Sequence, residues 1–166
     1  MPAGVRPTEA RVREALFSIW SDRLESARFL DLFAGSGAVG VEALSRGAAE
    51  SVLVERSGRV LRDLAENCRF VDESVQWVRA TLPERLTRDL LGGGLVDLVF
   101  ADPPYAFQEW EELLVRLPPL LGENAAIAVE HSARQEVPQA VPGLRAHDRR
   151  AYGESVLTFY ALEAAS

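Results

Sequence analysis

With 166 residues, 48% of them hydrophobic and 26% charged, the chain has the composition of a soluble globular protein with one core. No apolar run approaches the ~20 residues that cross a bilayer. The N-terminus carries no signal-peptide pattern and a single Cys68 rules out an internal disulfide, so a cytoplasmic, reducing compartment is expected. The net charge of −7 excludes a uniformly basic nucleic-acid binder.

Arg6-Pro7-Thr8 opens a helix with Thr8 as its expected N-cap, and Val12, Leu16, Ile19 and Trp20 form one apolar stripe that runs to about Asp22. Phe29, Leu30, Asp31 and Leu32 make a short buried strand. It leads into Phe33-Ala34-Gly35-Ser36-Gly37, a turn bare enough for a ligand to lie against its backbone. A helix over residues 38–46 ends at Gly47. Residues 51–55 are a parallel strand closing on Glu55, and residues 57–71 a helix with Val60, Leu61, Leu64 and Cys68 on one side, Cys68 reading as a small core residue. A third strand, 75–79, places Ala80, Thr81 and Leu82 at its tip, and residues 83–91 are predicted as a short helix stopped by Gly92-Gly93-Gly94.

The fourth strand, 95–101, is almost continuously apolar and ends in Asp102-Pro103-Pro104-Tyr105. A helix over 108–117, a strand over 125–130 and a Pro-rich link follow. Segments 144–150 and 156–162 then form a hairpin about Tyr152-Gly153-Glu154. Strands alternating with helices predict a parallel α/β sheet with right-handed crossovers and one antiparallel edge, as a single domain: a helix at 8–22 and a core over 27–163. Asp31, the glycine turn, Glu55 and Asp102 then fall at the carboxyl ends of the strands, where such folds bind ligands.

Gly35, Gly37 and Gly40 fit G-x-G-x-x-G, which on its own points to a dinucleotide. Asp31, four residues before Gly35, would repel a pyrophosphate and attract an amino group or a sulfonium, which favours S-adenosylmethionine. Glu55, twenty residues after Gly35, suits the two ribose hydroxyls. Arg56 either packs over adenine or stays exposed, and backbone N–H groups at Thr81 and Leu82 suit the adenine edge. In Asp102-Pro103-Pro104-Tyr105, the carboxylate and the Pro103 carbonyl can each accept a hydrogen from an exocyclic amine and turn its lone pair outward. Proline stiffens that backbone, and Tyr105 offers a flat face to an extruded base.

RPTEARVREALF, LDLFAGSGAVGVEALSRGA, VFADPPY and the closing YGES and LTFY, in this order from Arg6 to Tyr160, resemble the RsmD family of bacterial guanine-N2 methyltransferases acting on 16S ribosomal RNA. The resemblance implies a Rossmann-like class I methyltransferase fold, with a mainly parallel seven-stranded sheet and a C-terminal antiparallel hairpin. It implies S-adenosylmethionine held by Phe33 to Gly37 and by Glu55, and a target guanine gripped by Asp102 to Tyr105. Arg6, Pro7 and Thr8 are implied as a lid over the cofactor, and the substrate as 16S rRNA in a small-subunit assembly intermediate. A monomer without metal or membrane contact is expected. Three features depart from the family: no basic glycine- and arginine-rich segment before Arg6, Thr81 at a position often more polar, and the acidic net charge. All 18 basic residues are arginine; Arg6, Arg11 and Arg13 form one group and Arg145, Arg149 and Arg150 another, and whether they meet is left to the fold. Two other readings stand beside this one. The first is an adenine-N6 or cytosine-N4 DNA methyltransferase, disfavoured by the lack of a target-recognition domain. The second is a non-catalytic assembly factor that binds S-adenosylmethionine. His131 and His147 have no assigned partner.

Overall fold

In a computed structural model, which describes residues 7–35, 37–68 and 74–163, twelve main elements follow one another. They are α1 (Pro7–Ile19), β1 (Arg28–Leu32), α2 (Ala38–Ser45), β2 (Glu50–Glu55), α3 (Gly58–Asn67), β3 (Val75–Arg79), β4 (Val96–Ala101), α4 (Trp110–Val115), β5 (Leu121–Ser132), β6 (Ala140–Val141), β7 (Leu144–Tyr152) and β8 (Ser155–Leu162). Arg6 and Ser36 lie outside the described residues, and of Pro7 and Thr8 only the backbone is described. No described helix is long and apolar enough to cross a membrane.

The strands form one sheet in the order β3-β2-β1-β4-β5-β8-β7-β6. The first five are parallel, and β8, β7 and β6 add on antiparallel. Side chains alternate across the pleat and bury a core on each face. Phe29, Leu98, Phe100, Ala128, Leu157 and Phe159 pack with Val12, Leu16, Phe17 and Trp20 of α1. On the other face Leu30, Leu32, Val99, Ala101, Ile127 and Val129 pack with Trp110, Leu113 and Leu114 of α4. The strand reversal lies between β1 and β4, so β1 continues to one side through β2 and β4 to the other.

Several boundaries differ from expectation. The sheet has eight strands rather than seven, because Pro142-Gly143, with Gly143 at φ 92°, turns the Pro-rich link into a hairpin that pairs β6 with the start of β7. Residues 83–91 are turns and one 3₁₀ turn (Asp89–Leu91) instead of a helix; Thr87 accepts the Leu90 N–H through its hydroxyl and starts a new turn there. Helix α1 starts with Pro7, so Thr8 sits inside its first turn and does not precede it. Strand β5 is twice the expected length, since residues before Ala125 continue beside Val96 past an irregularity in register. Cys68 ends α3 as a half-buried free thiol, its pKa raised by burial.

Arg11 of one arginine group reaches Tyr152, two residues beyond Arg150 of the other. Helix α1 lies against β7 and β8, and the Arg11 guanidinium stands 5.6 Å from the Tyr152 ring centre. Arg13 is paired with Glu42, Arg145 with Glu163 and Arg150 with Asp148.

Candidate active site

The register sets the site. Leu32 is level with Val54 in β2 and with Ala101 in β4, and Ala101 is level with Val129 in β5. One residue further on, Glu55, Phe33, Asp102 and Glu130 therefore form a row across four neighbouring strand tips. Residues distant in sequence become neighbours because the strands end together.

On one side of Asp102 a cavity of about 670 Å³ is lined by Phe33, Gly35, Glu55, Arg56, Thr81, Leu82, Asp102, Pro103 and Pro104, among others. The glycine turn forms its floor. Gly35 at φ 52° and Gly37 at φ 74° take left-handed backbone, and Phe33 does so too at φ 60°, a strained conformation for a residue with a side chain. The Phe33 ring meets Phe107 at 5.1 Å and so leans over the turn towards α4. Glu55 ties the turn to β2: Oε1 accepts the Gly35 N–H at 3.2 Å and Oε2 the Ser57 N–H at 2.8 Å. A carboxylate can accept about four hydrogen bonds, so acceptor positions remain for ligand hydroxyls.

On the other side a cavity of about 530 Å³ is lined by Asp102, Pro103, Tyr105, Glu130, His131 and Gln135, with the tip of the β7–β8 hairpin at Glu154 and Ser155. Tyr105 leaves 74% of its surface to solvent at the mouth. The Gln135 amide donates to the Tyr105 and Phe107 carbonyls, each at 3.1 Å, and its carbonyl accepts the Ser132 N–H, also at 3.1 Å. That one side chain straps the loop after Asp102 to the end of β5. His131 is buried, with Nε2 2.7 Å from Thr158 Oγ1 and Nδ1 2.9 Å from the Ser132 carbonyl oxygen. Burial lowers its pKa, so the neutral ring is a wall component.

The acids of this row are electrostatically uneven. Asp102 is an exposed residue whose carboxyl opens to both cavities, and partial withdrawal from water pushes its pKa up to about 6, with the nearby Glu9 of α1 adding to the rise. Glu130 is pushed up to about 8 by burial first, then by Asp102 and Glu9. Perturbation of this kind concentrates where proteins handle ligands and protons.

The structure thus brings together Phe33, Gly35, Glu55, Arg56, Thr81, Leu82 and Asp102 to Tyr105. Three expected residues stand elsewhere. Asp31 was expected to face a cation, but it is buried on the α2 side, where its Oδ2 accepts the Gly40 N–H at 3.0 Å and burial holds its pKa well above the carboxylate range. Gly40 permits that approach, since a Cβ there would lie 2.9 Å from Leu53 Cδ1 and 3.2 Å from Asp31 Oδ2. Ala34 is buried beside Leu53 and Val75, and Gly37 donates its N–H to the Ala34 carbonyl, so both shape the turn from behind the cavity. The lid residues are described only through the backbone of Pro7 and Thr8, and the next residue, Glu9, lies within electrostatic reach of Asp102. Glu130, His131 and Gln135 escaped the sequence reading. Their only local signal was an acid and a histidine at the end of a buried strand.

Sheet order, glycine turn and closing hairpin define an α/β protein with the fold of methyltransferases. The chain belongs to the family described as conserved hypothetical protein 95, which matches residues 1–161, and so bears out the RsmD resemblance. It is 33% identical over 164 residues to ribosomal RNA small subunit methyltransferase D of Escherichia coli (strain K12), covering 97% of this chain and 81% of that one. The methyltransferase of the same name from Haemophilus influenzae is 35% identical over 133 residues, 76% of this chain and 68% of that one. The solved structure of yhhF from Escherichia coli superposes with a TM-score of 0.79 at 33% identity, over 98% of this chain and 90% of that one. A ribosomal protein L11 methylase from Lactobacillus delbrueckii shares the fold alone, with a TM-score of 0.76 at 15% identity over 94% and 80% of the two chains.

Proposed function

We propose that this chain transfers a methyl group from S-adenosylmethionine to the exocyclic N2 amine of a guanine in 16S ribosomal RNA, within a small-subunit assembly intermediate, acting as one monomeric domain. The observation that carries the reading is that two cavities, one floored by the glycine turn and one opening past Tyr105, share Asp102 and Pro103 as their common wall. The names of the relatives support ribosomal RNA as the substrate class.

The residues of the first cavity fit the cofactor. At about 670 Å³ it suits a nucleoside-sized ligand. Gly35 presents bare backbone, since a Cβ there would find only the Phe33 carbonyl within 4 Å. Glu55 keeps acceptor positions for the ribose hydroxyls, and the backbone at Thr81 and Leu82 edges the same cavity. S-adenosylmethionine, when bound, supplies an electrophilic methyl on a sulfonium sulfur.

The chain's own part is positioning and proton handling. Tyr105 stacks the everted base. Asp102 and the Pro103 carbonyl each accept one hydrogen of the amine, which draws the nitrogen toward a tetrahedral shape and turns its lone pair to the methyl. Methyl transfer from the bound cofactor would leave the amine positively charged. Its surplus proton passes to Asp102, whose pKa of about 6 suits it to accept a proton and release it to solvent at neutral pH.

Undermodified small subunits incubated with the protein and S-adenosylmethionine, then digested to nucleosides for mass spectrometry, test this directly. N2-methylguanosine is expected. N6-methyladenosine or N4-methylcytidine in its place, or incorporation into DNA alone, would sink it.

A further inference from the structure

The second cavity contains a carboxyl, Glu130, that the transfer step leaves unused. Glu130 ends the buried part of β5, one residue beyond Val129, and Val129 is level with Ala101 of β4. It therefore stands beside Asp102 on the neighbouring strand, about 4.8 Å away across the sheet. Its histidine and amide neighbours in this wall are engaged. Both ring nitrogens of His131 have partners, and the Gln135 amide is fully used. Arg134 faces Glu154 at 3.9 Å across the rim. Among the described residues the Glu130 carboxyl makes no hydrogen bond or ion pair, although it lines the cavity and is half-buried. A polar group partly removed from water without a partner is costly, and a ligand that supplies a donor removes the cost.

We infer that Glu130 is the specificity-determining residue of the acceptor cavity: its carboxyl accepts the hydrogen of the ring N1–H beside the amine held by Asp102, and so admits guanine and rejects adenine and cytosine. This rests on the reading of the chain as a guanine-N2 methyltransferase. The chemistry of the bases makes the discrimination. Beside its exocyclic amine guanine carries a ring N–H donor, whereas adenine at N1 and cytosine at N3 carry a lone pair that a carboxylate repels. A site built to take a hydrogen bond discriminates strongly against an analogue that lacks the donor. Burial, Asp102 and Glu9 raise the Glu130 pKa to about 8, and a donor at the carboxyl favours its ionised form, so guanine binding and ionisation of Glu130 assist one another.

The test uses the full-length protein on small subunits reconstituted with 2-aminopurine at the target position, once wild-type protein has mapped that position. This base keeps the N2 amine but has no N1–H. Wild type should prefer guanine by about 100-fold or more in kcat/KM. Glu130→Ala should lose about 30-fold or more on guanine, on the scale of a hydrogen bond to a charged group. The same variant should show little preference between the two bases, with calorimetric affinity for S-adenosylmethionine within a few-fold of wild type. Glu130→Gln retains an acceptor oxygen of the same reach and should keep most of the preference, which holds the test open should the alanine variant fold poorly. Equal wild-type rates on the two bases, an undiminished preference in Glu130→Ala, or a preference lost in a well-folded Glu130→Gln would overturn the assignment and leave the methyltransferase reading standing. Transfer to adenine or cytosine by wild type overturns both.

Discussion

On the glycine-turn side of Asp102, the carboxylate that matters is already bonded: Glu55 takes two backbone N–H groups. On the β5 side, the carboxyls of Asp102 and Glu130 accept no hydrogen bond among the described residues, and burial drives both pKa values upward. The two cavities share a wall but are made differently. A carboxylate fixed by peptide N–H groups shapes a turn and holds a ligand that is always presented the same way. A carboxyl partly withdrawn from water and left without a donor is ready to accept a hydrogen bond from what arrives. On the proposed function, the contrast puts cofactor binding on one side and acceptor chemistry on the other, and single substitutions can break it.

The largest effect is expected at the shared wall. Asp102→Ala should lower single-turnover methyl transfer by about 10²–10³-fold, the scale of losing one preorganised group at the reacting centre. Calorimetric affinity for S-adenosylmethionine should stay within a few-fold. Equal loss of rate and affinity would move Asp102 to the cofactor side and erase the distinction.

Next comes Glu55. Glu55→Ala should weaken S-adenosylmethionine binding by about 1.5–3 kcal/mol, the scale of hydrogen bonds to a charged group. It also frees the Gly35 and Ser57 N–H groups, so part of the loss comes through the turn. RNA affinity, read by filter binding, should not move. A calorimetric affinity equal to wild type would show that the turn alone carries the ligand.

Titration separates the sides more gently. Proton acceptance requires ionised Asp102, so kcat/KM should rise about tenfold per pH unit below about pH 6 and level off above it. Stability runs the opposite way. A carboxyl whose folded pKa is raised contributes stability in full below its unfolded value of about 4, and loses it as pH rises through the folded value. For Glu130 that loss is complete only above about pH 8. The melting temperature of wild type should therefore fall relative to Glu130→Gln as pH rises from about 5 to about 8, the window of more than three units between the ordinary glutamate value and the raised one. A constant difference across that range would show that Glu130 is not desolvated.

The glycine-turn side was legible in sequence because it is local. Strand, glycines and helix follow one another from Phe29 to Gly40, and Glu55 ends the very next strand. Asp102 to Tyr105 was legible as a contiguous motif. The five parallel strands and the closing hairpin also followed from apolar runs and turn residues. What escaped depends on register between distant segments. Nothing near Glu130 in the chain says that β5 ends level with β4, and nothing near Gln135 says that its amide reaches the Tyr105 carbonyl. Asp31 was misplaced for a related reason. Alternation along β1 turns its side chain to α2, where Gly40 leaves room for it, and a motif read as a string carries no face.

The smallest effect is the one that tests how the second cavity keeps its shape. Gln135 touches no reacting atom in this scheme; it is a positioning residue, holding the Tyr105 and Phe107 carbonyls from β5 while its own carbonyl takes the Ser132 N–H. Gln135→Ala removes all three bonds, but two of the groups it frees are carbonyls near the exposed rim, where water can replace the amide, so the cost in stability should be about 1 kcal/mol. Tyr105 would then sample more positions, and the base would stack less often in the reactive one. KM for the small subunit should rise about three- to tenfold while kcat changes less, because a loosened loop weakens binding before it alters chemistry. S-adenosylmethionine affinity should be unchanged, since Gln135 lines only the acceptor cavity and its neighbour at the loop. A merely structural strap would lower the melting temperature and leave KM where it was; a parallel fall in cofactor affinity would mean that the two cavities are mechanically one.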